Sequence, residues 1–267
     1  MMSDDGPARR RPVTLSIVIP AYNEEKGLPE ALRKLSEYLS ARPWDWELRV
    51  VDDGSTDGTR EAVEQFRRTE PRVFLQAEPH RGKGGAVRAG MLAARADYRF
   101  MCDADLSMPV HEIERFMPPA LGQTDVAIGS REGVGARRVG EPMFRHLAGR
   151  VFNATVRLST IRDIQDTQCG FKMFTAAAAQ SIFPQVTIEG WAFDIEVLYI
   201  ARLRNLRVRE VPIEWHFRSD SRLRMGRDAL AMIREVMRVR ARARRGAYST
   251  AGETQGKHRG DTGETRS

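Results

Sequence analysis

Short apolar segments rich in β-branched residues recur along the first half of the chain, and segments with helical periodicity lie between them. This alternation indicates a mostly parallel sheet covered by helices on both faces. We therefore predict an α/β fold. The predicted strands are 14–20, 46–53, 72–78, 98–105 and 125–131, and the predicted helices are 27–40, 58–68, 83–95 and 110–120.

The second half of the chain is less regular and ends in a basic amphipathic helix. Helices are predicted at 142–158, 190–204 and 226–244, and a strand at 207–215. The apolar stripe of the last helix is compatible with packing on the domain, and its arginines with contact to anionic lipid headgroups. The stripe consists of Leu230, Ile233, Val236 and Met237, and the arginines are Arg234, Arg238, Arg240, Arg242, Arg244 and Arg245.

Both ends of the chain differ in composition from the rest. Residues 246–267 are rich in Gly and Thr and contain almost no apolar side chains, which predicts disorder, and we expect the same of the first dozen residues. The predicted organisation is therefore a basic arm at 1–12, a single folded domain at 13–245 and a polar tail at 246–267.

Composition places the chain among soluble globular proteins, with 267 residues, 41% hydrophobic and 30% charged. No run of about 18 apolar residues occurs, and the first apolar segment, TLSIVI, is too short for a signal-peptide core. Cys102 and Cys169 fit neither a zinc site nor a disulfide framework. These features predict a cytoplasmic protein that is not integral to a membrane.

The net charge of +7 predicts an anionic partner, which could be nucleic acid, a phosphorylated substrate or a lipid surface. Polar sequences nevertheless follow every predicted strand of the first half, namely AYNE, DDGS, EPHRGKGG, DAD and GSRE. Because ligands of such sheets bind beyond the carboxyl ends of the strands, these five segments predict one binding site.

Asp103 and Asp105 are the sharpest feature of this edge. They follow the apolar run YRFMC, and alternate residues of an extended segment point to the same side. Two converging carboxylates need a shared proton, a flanking Arg or Lys, or a divalent cation such as Mg²⁺ or Mn²⁺.

Two common nucleotide-binding folds are disfavoured. A dinucleotide site needs a Gly-rich turn after the first strand, whereas this chain has Glu24 and Glu25 there, which would repel phosphate. No GxxxxGK[ST] segment occurs either. Asp103 and Asp105 are therefore best interpreted as a metal-centred clamp for a diphosphate.

The motifs IVIPAYNEE, VVDDGSTDGT, GKGGAV, DADL and GSR, in this order and spacing, resemble those of family 2 glycosyltransferases. This resemblance implies a Rossmann-like GT-A fold for the domain at 13–245. The later segments DTQCGFKMF, GWAFDIEVLYIA and SRLRMGRDALAMIRE resemble dolichyl- and polyprenyl-phosphate sugar synthases, especially the dolichyl-phosphate β-glucosyltransferases.

The resemblance also implies roles for individual residues. Asp103 and Asp105 would hold Mg²⁺ or Mn²⁺, although Ser107 and Met108 stand where many relatives carry a Gln or His pair, so no third metal ligand is identified. The implied nucleotide-sugar residues are Pro20, Tyr22, Glu24, Asp53, Lys83, Asp103, Ala104 and Asp105. The implied acceptor or phosphate contacts are Arg131, Asp166, Gln168, Arg218 and Arg222, and the implied catalytic residues are Asp105, Arg131 and Asp194.

Asp194 and Glu196 lie two positions apart on a predicted helix, about 200° around its axis, so they cannot both face the site. The resemblance favours Asp194. A phosphate acceptor is already anionic and needs little general base, so Asp194 could instead orient a sugar hydroxyl or a neighbouring Arg.

The predicted function is inverting transfer of a sugar from a nucleoside-diphosphate sugar, UDP-glucose first, to a dolichyl or polyprenyl phosphate on the cytoplasmic face of an anionic membrane. The alternatives are GDP-mannose as the donor or a soluble acceptor. A nucleic-acid-binding module is a further alternative, which the acidic strand ends disfavour because they would repel a phosphate backbone.

Overall fold

This computed structural model of the chain describes residues 14–142, 163–218 and 225–248, and in the last stretch it describes side chains from residue 234. A seven-stranded sheet runs through the fold in the order β3-β2-β1-β4-β7-β5-β8. Its strands are β1 Leu15–Ala21, β2 Trp46–Asp53, β3 Val73–Glu78, β4 Tyr98–Cys102, β5 Val126–Ser130, β7 Phe171–Thr175 and β8 Val208–Pro212. The remaining strands, β6 Arg137–Val139 and β9 Glu214–His216, form a small parallel pair.

Helices cover both faces of the large sheet, which confirms the predicted fold class. Helix α1 packs against α2 and against a 3₁₀-helix at Val110–Phe116, whereas α3 packs against α4 and a 3₁₀-turn at Phe183–Gln185. The α-helices are α1 Leu28–Ser40, α2 Thr59–Arg67, α3 Lys83–Ala93, α4 Ala176–Ile182, α5 Phe193–Leu203 and α6 Met225–Arg244. The central strands carry near-continuous apolar sequences because both of their faces are buried.

Strand β7 was not predicted, and it is antiparallel to both of its neighbours, β4 and β5. Its sequence, FKMFT, is short and contains a lysine, so its apolar pattern does not distinguish it from the loop DTQCG that precedes it. Insertion of β7 brings this loop to the carboxyl end of β4, where the predicted site lies.

Several predicted boundaries need correction. Strand β4 ends at Cys102 rather than at residue 105, and the predicted helix at 110–120 is a 3₁₀-helix that stops at Phe116, before two prolines. Helix α5 starts three residues after the predicted start at 190, and the predicted strand 207–215 is divided into β8 and β9. Most of the helix predicted at 142–158 lies outside the described residues.

Helix α6 packs on α5, and the structure confirms Val236 of the predicted stripe but not Met237. Val236 and Val239 are buried, and Ala243 packs partly against the core. Met237, predicted to lie on the apolar stripe, is 56% exposed because it lies on the opposite side of the helix. The side chains of Leu230 and Ile233 lie outside the described residues. In the part of the chain that the structure describes, no helix is long and apolar enough to cross a bilayer.

Tyr248 extends the folded region beyond the predicted boundary at 245. Its side chain is only 4% exposed, and its hydroxyl donates a hydrogen bond of 2.7 Å to the buried Glu196 carboxylate. The same carboxylate accepts the backbone N–H groups of Thr187 and Ile188. Residues 246–248 therefore belong to the fold, whereas residues 1–12 and 249–267 lie outside the described residues.

We expect Tyr248→Phe to lower the free energy of unfolding by about 1–3 kcal/mol, because a buried carboxylate would lose a hydrogen-bond donor. Urea denaturation measures this change. Tyr199→Phe is the matched control, since the Tyr199 ring lies 6.3 Å from the Tyr248 ring, and we expect it to change stability by less than about 0.5 kcal/mol. Equal losses in both variants would contradict the role given to the Tyr248 hydroxyl.

Candidate active site

The loops after β1 and β2 hold each other at the carboxyl edge of the sheet. The Asn23 N–H donates to Ser55 Oγ at 2.8 Å, and the Thr56 N–H donates to Asn23 Oδ1 at 2.8 Å. Asn23 has a φ of 51°, in the left-handed region that Asn tolerates better than most residues. These contacts fix Tyr22 and Glu24, which flank Asn23 in the chain.

Asp53 lies buried at the end of β2 and organises the loop that leads into α3. Its two carboxylate oxygens accept the backbone N–H groups of Arg81, at 2.8 Å, and Gly82, at 2.9 Å. His80 Nδ1 lies 2.9 Å from Asp53 Oδ2, and the imidazole ring stacks on Tyr22 with 4.2 Å between ring centroids. His80 thus links Asp53 to Tyr22, two residues that the resemblance implies for the nucleotide pocket, and the sequence analysis assigned His80 no role.

A cavity of about 300 Å³ opens beside this cluster. It is bounded by the end of β3, by α3 and by residues 186–189. Asp53, Arg81 and Arg88 contribute polar groups to its wall. This volume is in the range of small-ligand sites.

The GKGG turn is fitted closely to the loop before α5. Gly82 has a φ of 113°, and a Cβ atom there would lie 2.6 Å from the Glu189 carbonyl oxygen. The Gly84 N–H donates to that same oxygen at 2.8 Å. Glycine is therefore required at position 82, both for its conformation and for the close approach. The turn anchors Lys83 at the first residue of α3.

Lys83 lies among the predicted carboxylates. Its Nζ is 2.6 Å from Asp103 Oδ1 and 5.5 Å from the centre of the Trp191 ring. Burial alone would lower the pKa of Lys83, but the nearby Asp103, Asp194 and Asp105 raise it above its ordinary value. Lys83 therefore stays protonated beside Asp103, so a flanking lysine, one of the three arrangements considered for the two carboxylates, is present.

The DAD segment is a turn rather than the extended continuation of β4 that the sequence predicted. The Asp103 carboxylate lies so close to Gly170 that a Cβ atom there would collide with it. Asp105 is exposed, and its Oδ1 accepts the Ser107 N–H at 2.9 Å. Ala104, between the two aspartates, is buried.

This donor set fits a divalent metal that a ligand helps to bind. Within the described residues, His, Cys, Asp and Glu form no group of three or more that could hold a metal ion. Mg²⁺ is commonly bound by one or two carboxylates and completes its coordination with water and substrate phosphates. Asp103 and Asp105 stay the predicted protein ligands, with a diphosphate supplying the rest.

Asp194 and Glu196 are both buried on α5 but have different surroundings. Asp194 accepts a hydrogen bond of 2.6 Å from Lys172 Nζ, on the site side of the helix. Burial raises the pKa of Asp194, and the positive charges of Lys172 and Lys83 oppose that shift. Glu196 instead bonds to Tyr248 and the 187–188 backbone, in agreement with the helical geometry expected from the sequence. Lys172 was not predicted as a site residue.

Arg131 and Asp166, predicted as separate contacts, form a forked ion pair. Arg131 Nε and Nη2 donate to the two Asp166 oxygens at 2.6 and 2.8 Å. Burial would lower the pKa of Arg131, but Asp166 raises it. Asp166 is fully buried, whereas the Arg131 side chain is 21% exposed, so Asp166 positions Arg131. Contact between either residue and an acceptor stays a prediction.

The remaining predicted residues stay untested. Pro20 and Gln168 are half-buried, and Arg218 is exposed at the end of a described range. Arg222 lies outside the described residues.

Comparison with known proteins decides the family. The model of the family "Glycosyl transferase family 2" matches residues 16–183. This range includes the carboxyl ends of β1 to β5 and the whole of β7. The chain belongs to glycosyltransferase family 2. The resemblance seen in its motifs is confirmed.

The enzyme is also similar to curated proteins over most of its length. It is 35% identical over 259 residues to the dolichyl-phosphate β-glucosyltransferase of Saccharomyces cerevisiae, covering 88% of this chain and 77% of the relative. It is 33% identical over 250 residues to the corresponding human protein, with the same coverage. This family 2 enzyme is therefore a hexosyltransferase of the dolichyl-phosphate β-glucosyltransferase-like type, as the sequence predicted.

Solved structures support the fold assignment of the enzyme. Glucosyl-3-phosphoglycerate synthase from Mycobacterium tuberculosis, in complex with Mn²⁺ and UDP-glucose, matches with a TM-score of 0.57 and 18% identity, covering 84% of this chain and 79% of that one. Mannosyl-3-phosphoglycerate synthase from Rubrobacter xylanophilus matches with a TM-score of 0.61 and 16% identity, covering 95% and 79%. At these identities the similarity establishes the fold alone.

Proposed function

We propose that this family 2 enzyme transfers glucose from UDP-glucose to the phosphate of a dolichyl or polyprenyl lipid, with inversion at the anomeric carbon. The observation that carries the proposal is the cluster of Lys83 and Asp103, 2.6 Å apart at the sheet edge, in a chain 35% identical to a dolichyl-phosphate β-glucosyltransferase. The relatives supply the substrate class, and the cluster supplies groups suited to phosphate chemistry.

In the proposed reaction, an oxygen of the acceptor phosphate attacks the anomeric carbon from the face opposite the nucleotide. The new carbon–oxygen bond forms as the bond to UDP breaks, and the electron pair of that bond leaves on the β-phosphate. The acceptor oxygen is already anionic, so no proton has to be removed. An α-linked donor therefore gives a β-linked product.

The protein's part is to position the reactants and stabilise charge. Protonated Lys83 and Arg131 are suited to contact phosphate oxygens, and the Asp166 fork fixes the orientation of Arg131. Asp103 and Asp105 would hold Mg²⁺ or Mn²⁺, which when bound offsets negative charge on the departing diphosphate.

A donor panel tests this proposal. Radiolabelled UDP-glucose and GDP-mannose are each incubated with dolichyl phosphate and Mn²⁺ or Mg²⁺, and labelled lipid is extracted into organic solvent. We expect label from UDP-glucose only, and none when EDTA is added. Label from GDP-mannose alone would favour the mannosyl alternative, and no extractable label from either donor would contradict the proposal.

The exposed side of α6 is the proposed contact with an anionic membrane. Arg234, Met237 and Arg238 are exposed there, opposite the buried Val236 and Val239, and Arg245 is exposed directly after the helix ends. Such a face combines cations for lipid phosphates with an apolar side chain for the headgroup boundary. Its location on the cytoplasmic side of a membrane stays a prediction.

We expect the triple variant R234Q/R238Q/R245Q to bind phosphatidylserine vesicles roughly a hundredfold more weakly, since each interfacial arginine contributes about 1 kcal/mol. Vesicle co-sedimentation measures this. The triple variant R33Q/R67Q/R207Q makes the same change in net charge on other surfaces, and we expect binding within threefold of wild type. Equal weakening by both sets would show that net charge, and not the α6 face, determines binding.

A further inference from the structure

Trp191 is a partly exposed aromatic residue at the edge of the site. It is 39% exposed, although the next two residues, Ala192 and Phe193, are buried in the core. Lys83 Nζ lies over the indole ring, 5.5 Å from its centre, and the same ammonium is 2.6 Å from Asp103 Oδ1. A single exposed apolar residue is ordinary on a protein surface. This one differs because it lies beside a cation suited to phosphate.

The segment that carries Trp191 is held from two sides. On the side of α3, the Gly84 N–H donates to the Glu189 carbonyl oxygen at 2.8 Å. On the side of α6, a Cβ atom on Gly190 would lie only 3.3 Å from Glu235 Oε1. The backbone directly before Trp191 is therefore fixed between two helices, and the indole ring is positioned before any ligand binds.

The contact with α6 leads from the site to the face proposed for the membrane. Glu235 is half-buried, and Arg238 lies three residues later, so the two are neighbours on the helix surface. Arg238 belongs to the exposed face described above. Neighbouring residues thus connect Lys83 to that face, and Trp191 is the large apolar side chain among them.

The proposed acceptor has an apolar chain joined to its phosphate through a single ester oxygen. A productive complex holds the attacking oxygen within about 3–3.5 Å of the anomeric carbon. The chain therefore starts within about one sugar ring of the diphosphate, and it has to leave the site toward the membrane. An exposed indole ring beside the Lys83 ammonium offers this chain an apolar surface, and contact removes both from water.

We propose that Trp191 binds the isoprenoid chain of the acceptor where the chain leaves its phosphate, and so favours a lipid phosphate over a soluble one. The inference rests on the proposed function and names an acceptor contact of the same site. Stacking of the indole ring on the transferred glucose is the competing use of this surface, and the tests below separate the two.

The kinetic test uses Trp191→Ala with farnesyl phosphate as a short isoprenoid acceptor. We expect KM for farnesyl phosphate to rise about 10- to 50-fold, because apolar contact area is lost, while kcat and KM for UDP-glucose stay within about threefold. Trp191→Phe keeps an aromatic ring and should restore KM to within about threefold of wild type. Leu203→Ala is the matched control, since Leu203 is 48% exposed at the far end of α5, and it should match wild type.

Two kinetic outcomes would overturn the inference. One is a KM for farnesyl phosphate in W191A within about threefold of wild type. The other is an equal rise in KM for UDP-glucose, which would show that the ring contacts the transferred glucose. If W191A does not fold, W191Q takes its place, because it keeps a long side chain and removes the apolar ring.

Binding measurements give a readout that needs no activity. By titration calorimetry, we expect W191A to bind farnesyl phosphate about 10- to 50-fold more weakly than wild type. Equal affinities, or no binding by wild type, would overturn the inference. W191A should also bind phosphatidylserine vesicles without acceptor within about threefold of wild type, and weaker binding would show that Trp191 contacts the bilayer instead. A wild-type protein that transfers no glucose would contradict the proposed function, and the binding measurements would then decide the inference alone.

Discussion

Asp105→Asn is expected to abolish glucose transfer while leaving the fold intact. Asp105 is exposed, and its contact with the Ser107 N–H is one that an asparagine carbonyl oxygen can also accept. The fold therefore loses little. The site loses one of the two carboxylates available to a divalent cation, and with it the charge that balances the metal and diphosphate.

Initial rates with radiolabelled UDP-glucose measure this effect. Asp45→Asn, at an exposed position before β2, is the matched control and should retain the wild-type rate. Retention of more than about a tenth of the activity by Asp105→Asn would correspond to a barrier change below about 1.4 kcal/mol and would contradict the metal-clamp interpretation.

Asp194→Asn is expected to slow transfer about 10- to 100-fold and to lower the free energy of unfolding by about 3 kcal/mol. The loss of stability follows because Lys172 would keep a buried charge with no anionic partner. The loss of rate is that of an orienting contact, because a phosphate acceptor arrives already deprotonated.

Measurements of Asp194→Asn between pH 5 and 9 separate two acceptor classes. A hydroxyl acceptor must lose its proton as the bond forms, so loss of a base would cost roughly 10²- to 10⁴-fold and remove the acidic limb of the pH–rate profile. Glu47→Gln is the control, a buried carboxylate near the amino end of β2, away from the site, where it accepts a hydrogen bond from Ser16 Oγ. We expect it to lose stability but to keep its rate within threefold. A collapse of the Asp194→Asn rate beyond a thousandfold, with donor binding intact, would contradict a phosphate acceptor.

The sequence predicted the parallel part of the sheet well because β1 to β5 are apolar strands with polar ends. It missed β7 because a charged residue interrupts a short apolar run, and a buried lysine makes sense only beside its partner, Asp194, which follows 22 residues later in the chain. Local pattern carries no information about such pairs.

The same limit applies to the site. The motifs identified Arg131 and Asp166 as polar residues of interest, but their fork joins positions 35 residues apart, so their mutual role could not be read from either segment. Likewise, the polar composition of residues 246–267 did not indicate that Tyr248 is buried, because its hydrogen-bond partner, Glu196, lies on α5, far away in the sequence. The polar residues at the strand ends could be predicted from the sequence, but the contacts that they make with each other could not.

The central claim is that glucose goes to a lipid phosphate, and a side-by-side acceptor assay tests it most directly. Wild-type protein is incubated with radiolabelled UDP-glucose and Mn²⁺, and with either dolichyl phosphate or 3-phosphoglycerate, the acceptor suggested by the names of the solved structures with the same fold. We predict that label enters the organic phase with dolichyl phosphate and that no labelled product forms with 3-phosphoglycerate. Transfer to 3-phosphoglycerate without any labelled lipid would contradict the account.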